Sequence, residues 1–148
     1  MQEKLHHSLS ETRRVVAFVG PAGTGKSQRA QMIARENDVD FMIDDGLLIS
    51  KGRIVAGKSA KAEKNLVRAI RRALFQFPDH RSAVLDYLST HEPFKIMIIA
   101  TSASMAEKIT RALELPAPEL FIDITEVASP EEIINARRER HEKKQHVI

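Results

Sequence analysis

The stretch that most constrains this chain is Gly20-Pro21-Ala22-Gly23-Thr24-Gly25-Lys26-Ser27. An apolar, β-branched run, Val15 to Val19, precedes it, and helix-favouring residues, Ser27 to Asn37, follow. Few folds satisfy a strand that stops at a glycine, curls through small residues and restarts as a helix. Gly20, Ala22, Gly23 and Gly25 let successive backbone N–H groups converge. The loop ends on a helix N-terminus, where free amides and the helix dipole both favour an anion. Lys26 supplies a mobile positive charge and Ser27 a hard hydroxyl oxygen. The segment is therefore expected to cradle a polyphosphate. Its binding residues would be Gly20, Pro21, Ala22, Gly23, Thr24, Gly25, Lys26, Ser27 and Gln28, with Ser27 available to Mg²⁺.

The pattern G-x-x-x-x-G-K-S is the Walker A pattern, and over about the first forty residues the chain resembles the P-loop nucleoside-triphosphatase superfamily. The resemblance implies Mg²⁺ and a nucleotide on the loop. ATP is expected rather than GTP, because the chain contains no Asn-Lys-x-Asp base-reading motif. Ser59-Ala60-Lys61 is similar to the last GTPase motif but lies too early in the chain.

The pattern occurs a second time, at Gly52-Arg53-Ile54-Val55-Ala56-Gly57-Lys58-Ser59. Its central residues, Ile54 and Val55, are stiff at χ1 and favour extended backbone, so they would crowd a phosphate nest. No apolar strand of proper length leads into Gly52. This copy is read as a chance match within a β-hairpin.

At 148 residues, with 43% hydrophobic side chains, the chain is long enough for one domain with a real core. A net charge of +3 suits an anionic ligand without indicating nucleic acid. With no cysteine there is neither a disulfide framework nor a thiolate metal site. No apolar run approaches membrane-spanning length and the N-terminus has no signal-type core, so a cytoplasmic protein without a membrane partner is expected. Residues 1–14 read as a polar extension, in which adjacent His6 and His7 without a third ligand form a solvated terminus. Residues 15–148 read as the nucleotide-binding domain.

After the first helix, Val39 to Ile43 forms a short apolar strand that runs into Asp44-Asp45-Gly46. The C-terminal ends of parallel strands face the ligand crevice, so Asp44 and Asp45 are expected beside the phosphates. One of them would hold Mg²⁺ through water, Asp44 being the metal candidate, or act as base toward an acceptor hydroxyl. The bland reading is ordinary turn chemistry. This segment is similar to the second strand of the small-molecule kinases related to shikimate and adenylate kinases, which ends in an acidic residue near the acceptor. Leu47 to Ile49 and Arg53 to Val55 then form a hairpin that departs from that pattern. Lys58, Lys61 and Lys64 recur at three-residue spacing, as the basic edge of a lid or, preferred, as a solvated helix start.

Ala62 to Phe77 reads as an amphipathic helix with Leu66, Ala69, Ile70, Ala73 and Leu74 inward, stopped by Pro78. Asp79 would cap a second helix running to Thr90, which makes Ala83-Val84-Leu85-Asp86 helical rather than a Walker B strand. Phe94 to Ala100 is the clearest buried strand and ends in Thr101-Ser102 with no acid. It resembles the sensor strand of P-loop ATPases, making Thr101 the residue that would meet the γ-phosphate or the attacking water. Ser102 or Ser104 would cap the next helix, Met105 to Leu115. Glu119 to Ile124 is the last strand, with no function assigned to Asp123. Ser129-Pro130-Glu131-Glu132 is a capping box opening a charged helix to about Lys144, where one arginine could reach the nucleotide.

The element order implies an α/β fold, a three-layer sandwich with a mainly parallel sheet of about four strands plus the hairpin. Two functions fit. One is a kinase or ATPase acting on the γ-phosphate through Lys26, Ser27, Asp44 or Asp45, and Thr101. The other is a nucleotide-dependent switch whose state is read by a protein partner or a C-terminal domain. In ending abruptly at His146-Val147-Ile148, the chain is similar to uncharacterised P-loop proteins of clostridial type, as the N-terminal ATP-binding part of something longer.

Overall fold

A computed structural model of the chain describes residues 12–136 and 138. His6, His7 and the charged residues past 138 lie outside the described residues.

The elements follow the apolar patterning closely. Strand β1 (Arg13–Val19) is followed by helix α1 (Lys26–Glu36), then by strands β2 (Phe41–Asp44), β3 (Leu47–Ser50) and β4 (Arg53–Gly57). A 3₁₀ turn at Ala60–Ala62 leads into α2 (Leu66–Ala73) and α3 (Pro78–Ser89). Strand β5 (Phe94–Ala100), α4 (Ala103–Ala112), β6 (Leu120–Asp123) and the short α5 (Ile124–Val127) complete the order. Residues 130–136 are helical as well.

The six strands form one mixed sheet in the order β4-β3-β2-β5-β1-β6. The β2-β5-β1-β6 portion is parallel, and β3 and β4 extend it as an antiparallel meander. Both hairpins turn on two residues with positive φ, Asp45-Gly46 (50° and 86°) and Lys51-Gly52 (50° and 77°), the type I′ geometry that matches strand twist. A β-bulge at Leu48/Ile49 interrupts the β3–β4 register.

The central strands are apolar on both faces because helices cover both. Val15, Ala17, Ile43, Ile96 and Ile98 pack against α3 and α4 through Val84, Leu88, Ala106 and Ile109. Val16, Phe18, Met97 and Ile99 pack against α1 through Ala30, Ile33 and Ala34. The α/β class, the four parallel strands and the added hairpin are as the sequence implies. Among the described residues no helix is long and apolar enough to cross a membrane.

Several boundaries and faces differ from expectation. Strand β1 starts at Arg13, because Arg13 and Arg14 already pair with Phe94 and Lys95 of β5. The helix expected from Ala62 to Phe77 is confined to Leu66–Ala73. Ser59 caps the 3₁₀ turn, and the Asn65 side chain accepts from Arg68 N to open a new helix (2.9 Å). Its apolar stripe points outward, with Leu66 75% and Ile70 50% exposed, while Ala73 and the stem of Arg72 are buried. Lys58, Lys61 and Lys64 consequently share no helical edge, since only Lys61 lies in a helical turn. Helix α3 opens with Pro78 at its first position and Phe77 at the cap, so Asp79 lies in the first turn instead of capping it. The capping box forms as expected: Glu132 N donates to Ser129 Oγ (3.2 Å) and Ser129 N to Glu132 Oε1 (3.1 Å).

Candidate functional site

Strands β1 and β5 lie side by side, yet the helices that follow them cover opposite faces of the sheet. At such a divergence the carboxyl ends of the strands open a crevice, the usual ligand position in open α/β sheets. The Gly20–Ser27 loop occupies that position. Gly20 N still donates to Ala100 O on β5 (3.2 Å), so the loop departs from a fixed point.

Beyond Gly20 the chain folds on itself. Thr24 Oγ1 donates to Pro21 O (2.7 Å), and Lys26 Nζ donates to Gly20 O (2.5 Å) and Pro21 O (3.0 Å). Lys26 is only 8% exposed, with its charge held at the loop's centre. Gly23 and Gly25 adopt φ of 77° and 92°, which side chains rarely tolerate. Gly20 is required for a different reason: a Cβ there would sit 2.5 Å from Ile124 Cγ2, on the helix that closes over the loop. Carbonyls 20 and 21 are thus engaged from within. Among the described residues, the amides of Ala22, Gly23 and Gly25 donate no hydrogen bond within the chain, while Ala22 and Gly23 form a hydrogen-bonded turn. Ala22 is exposed and Gly23 and Gly25 are half-buried, so these amides are open to water or to an anion. The loop leads into the N-terminus of α1, whose cap Gly25 provides no side-chain acceptor. Gln28, also expected to bind, is exposed on the first turn of α1, and its Oε1 would lie 3.3 Å from a Cβ at Gly25.

The acidic pair separates into two roles. Asp44, the last residue of β2, accepts a hydrogen bond from Ser27 Oγ at 2.9 Å. Asp45 turns away as the first residue of the type I′ turn, and its Oδ2 lies 3.6 Å from Lys61 Nζ. The structure therefore joins Asp44, not Asp45, to the loop serine, and the turn-chemistry reading holds for Asp45. Burial pushes the Asp44 carboxyl above its ordinary range, assisted by the Asp45 charge; the Ser27 hydrogen bond, Lys61 and Lys26 oppose the shift. A carboxylate, an ammonium and a hydroxyl are gathered around one point.

Thr101 follows Ala100 and so lies beside Gly20, but its hydroxyl donates to Met105 Sδ (3.3 Å). Ser102 is the helix cap, accepting from Met105 N at 3.1 Å. Asp123, without an expected role, caps α5 by accepting from Thr125 N (2.9 Å), which fixes Ile124 over Gly20.

The second G-x-x-x-x-G-K-S copy is strand β4 and the bend after it, as the stiffness of Ile54 and Val55 suggests. That bend packs on the acidic turn. A Cβ at Gly57 would lie 2.3 Å from Gly46 O, and Ala60 N donates to Asp45 O (2.8 Å). From the other side His80 Nε2 donates to Gly46 O (2.7 Å), with its ring stacked on Phe75 (centroids 4.6 Å apart). Burial lowers the His80 pKa below its ordinary value, and the nearby charges of Arg72 and Lys58 add to this. His80 and the Gly57–Ala60 bend thus hold the turn that follows Asp44. Periodicity gave no sign of this, because His80 sits in an ordinary helix start.

No protein-family model matches the chain, and no curated protein matches it. The chemistry must be read from the loop itself.

The residues at the loop suit Mg²⁺. Ser27 Oγ and Asp44 are hard oxygen donors 2.9 Å apart at the end of the Gly20–Ser27 loop. Magnesium takes one or two protein oxygens and fills the rest of its shell with phosphate and water. Among the described residues no group of three or more histidine, aspartate or glutamate side chains is placed to hold a metal ion.

Proposed function

We propose that this chain is a Mg²⁺-dependent ATP-binding protein of the P-loop type that acts on the γ-phosphate as a kinase or ATPase. The observation that carries the reading is the junction of Ser27 with Asp44 at the end of a loop in which the amides of Ala22, Gly23 and Gly25 donate no hydrogen bond among the described residues. The amides and the α1 N-terminus would bind the β-phosphate, and Lys26 would reorient from carbonyls 20 and 21 toward the β- and γ-oxygens. Ser27 and Asp44 would hold Mg²⁺, which when bound neutralises charge on the transferring phosphoryl group. Asp44, with its raised pKa, is also placed to accept a proton from a nucleophile. Thr101 would orient water once its contact with Met105 gives way.

A second reading, a nucleotide-dependent switch with little turnover, is favoured by the strand next to β1. Strand β5 ends in Ala100-Thr101 with no carboxylate, leaving Asp44, one strand further out, as the only acid joined to Ser27 among the described residues. A protein partner would then read the Asp45–Lys61 turn or the helix after Ser129.

A phosphate-release assay with Mg²⁺-ATP, run with and without candidate acceptors, separates the two. Turnover that falls at least about a hundredfold in Asp44→Asn while ATP still binds supports catalysis. Tight binding without turnover in the parent chain supports the switch, and absence of nucleotide binding removes both.

A further inference from the structure

A cavity of about 520 Å³ lies at the opposite end of the sheet from the loop. Its walls are the last turns of α1, the start of β2, the end of β3 and the Lys51-Gly52 turn. None of the Gly20–Ser27 residues lines it. The volume falls in the range of small-molecule sites, about 300–1,000 Å³. It exists because β3 and β4 extend the sheet past the edge of α1, so the α1 side of the sheet is incompletely covered there.

The apolar part of the lining comes from Ala34, Val39, Met42 and Ile49. The polar part is asymmetric. At one end, Gln31 reaches toward the Lys51-Gly52 turn, since a Cβ at Gly52 would lie 3.1 Å from Gln31 Nε2. Arg35 is one helical turn beyond Gln31 on the same face of α1. Neither Arg35 nor Lys51 has an ion-pair partner among the described residues. At the other end are Asp40, one oxygen of which accepts from Lys95 N (2.9 Å), and His91, whose ring is stacked on Tyr87. Two uncommitted cations and an amide thus face a single carboxylate across an apolar floor.

We propose that this cavity is a second binding site, for a small carboxylate with an apolar body. The anionic head would be held at the Gln31, Arg35 and Lys51 end, and Asp40 would repel it from the other end, which fixes one orientation. The body would lie on Met42 and Ile49. A guanidinium paired with a carboxylate makes a charge-assisted bond stronger than a neutral hydrogen bond, so the head supplies selectivity and the floor supplies affinity. The site is independent of the nucleotide reading, because it uses different residues at the other end of α1.

The test is an amide chemical-shift titration of the full chain with decanoate, alongside decylamine, which has the same body and the opposite charge. Decanoate should give saturable shifts at residues 31–35, 39–42 and 49–52, and decylamine should bind about tenfold or more weakly. The double variant Arg35→Gln/Lys51→Gln should weaken decanoate by at least about tenfold, since it removes both cations that would hold the head. Both positions are solvent-exposed, so the variant keeps the fold. Equal affinity for the amine, an undiminished decanoate affinity in the double variant, shifts centred on the exposed Leu66, Val67 and Ile70 instead, or no saturation would each overturn the proposal.

Discussion

Lys26 and Lys58 occupy the same position in two copies of one sequence pattern, and the structure assigns them opposite importance. Lys26 is buried at the centre of its loop and donates to two carbonyls; Lys58 is exposed, past the end of β4. Replacing Lys26 by Ala removes one charge-assisted contact to phosphate, worth about 1.5–3 kcal/mol. At 1.4 kcal/mol per decade this predicts ATP binding about ten- to a hundredfold weaker. Two loop carbonyls lose their donor as well, so Lys26→Met, which keeps most of the stem, separates lost charge from lost packing. Lys58→Ala should alter affinity by less than about twofold, since exposed charges off the site contribute little. Isothermal calorimetry with Mg²⁺-ATP measures all three, with urea unfolding to show that each variant is folded. Equal losses in Lys26→Ala and Lys58→Ala would refute the distinction, and with it the claim that flanking strand and loop residues decide which copy binds.

Three further outcomes follow from the packing around the acidic turn and from α2. Gly57→Ala should lower unfolding stability by about 2–5 kcal/mol in urea titration. It combines a left-handed backbone (φ 95°) with a Cβ 2.3 Å from Gly46 O, so strain and overlap add. His80 has its pKa depressed in the fold, so its contribution to stability is complete above the unfolded value of about 6.5 and is lost as pH falls toward the depressed one, by at most about 1.4 kcal/mol per pH unit. Urea unfolding at pH 7.5 and 5.5 should therefore show a smaller drop in His80→Phe than in the parent chain; an equal drop would remove His80 as the cause. Leu66→Gln and Ile70→Gln should each change stability by less than about 0.5 kcal/mol, because both side chains are exposed, and a loss above about 1.5 kcal/mol would show that α2 buries its stripe after all.

How much of this could be read from the sequence depends on the range of the interactions involved. The loop, its flanking strand and helix, the capping box at Ser129 and the two-residue hairpins are local, and their residues carry the signal themselves. The direction of α2 was not local. Periodicity marks an apolar stripe on Leu66, Ala69, Ile70, Ala73 and Leu74 but does not say which side the sheet lies on. Here three arginines of that helix lie over Phe77, Arg72 4.3 Å from its ring centre, while Leu66 and Ile70 are exposed. The choice of Asp44 over Asp45 had the same limit. Asp44 ends β2 and Asp45 opens the turn, and only the meeting of β2 with α1 decides which of the two joins Ser27. His80 pairs with a carbonyl 34 residues earlier, a contact no local pattern encodes.

The sheet's two outer strands bear on how copies of this molecule meet. An unpaired strand flank invites another chain to add to it, and long flat flanks are the dangerous ones. At one margin β4 is twisted by the bulge opposite Leu48/Ile49 and carries Arg53 at its start. At the other, β6 offers only four residues before Asp123 bends the chain into a helix. Neither margin is a good template for growth, so concentrated preparations should resist fibrillar stacking despite an almost wholly apolar centre.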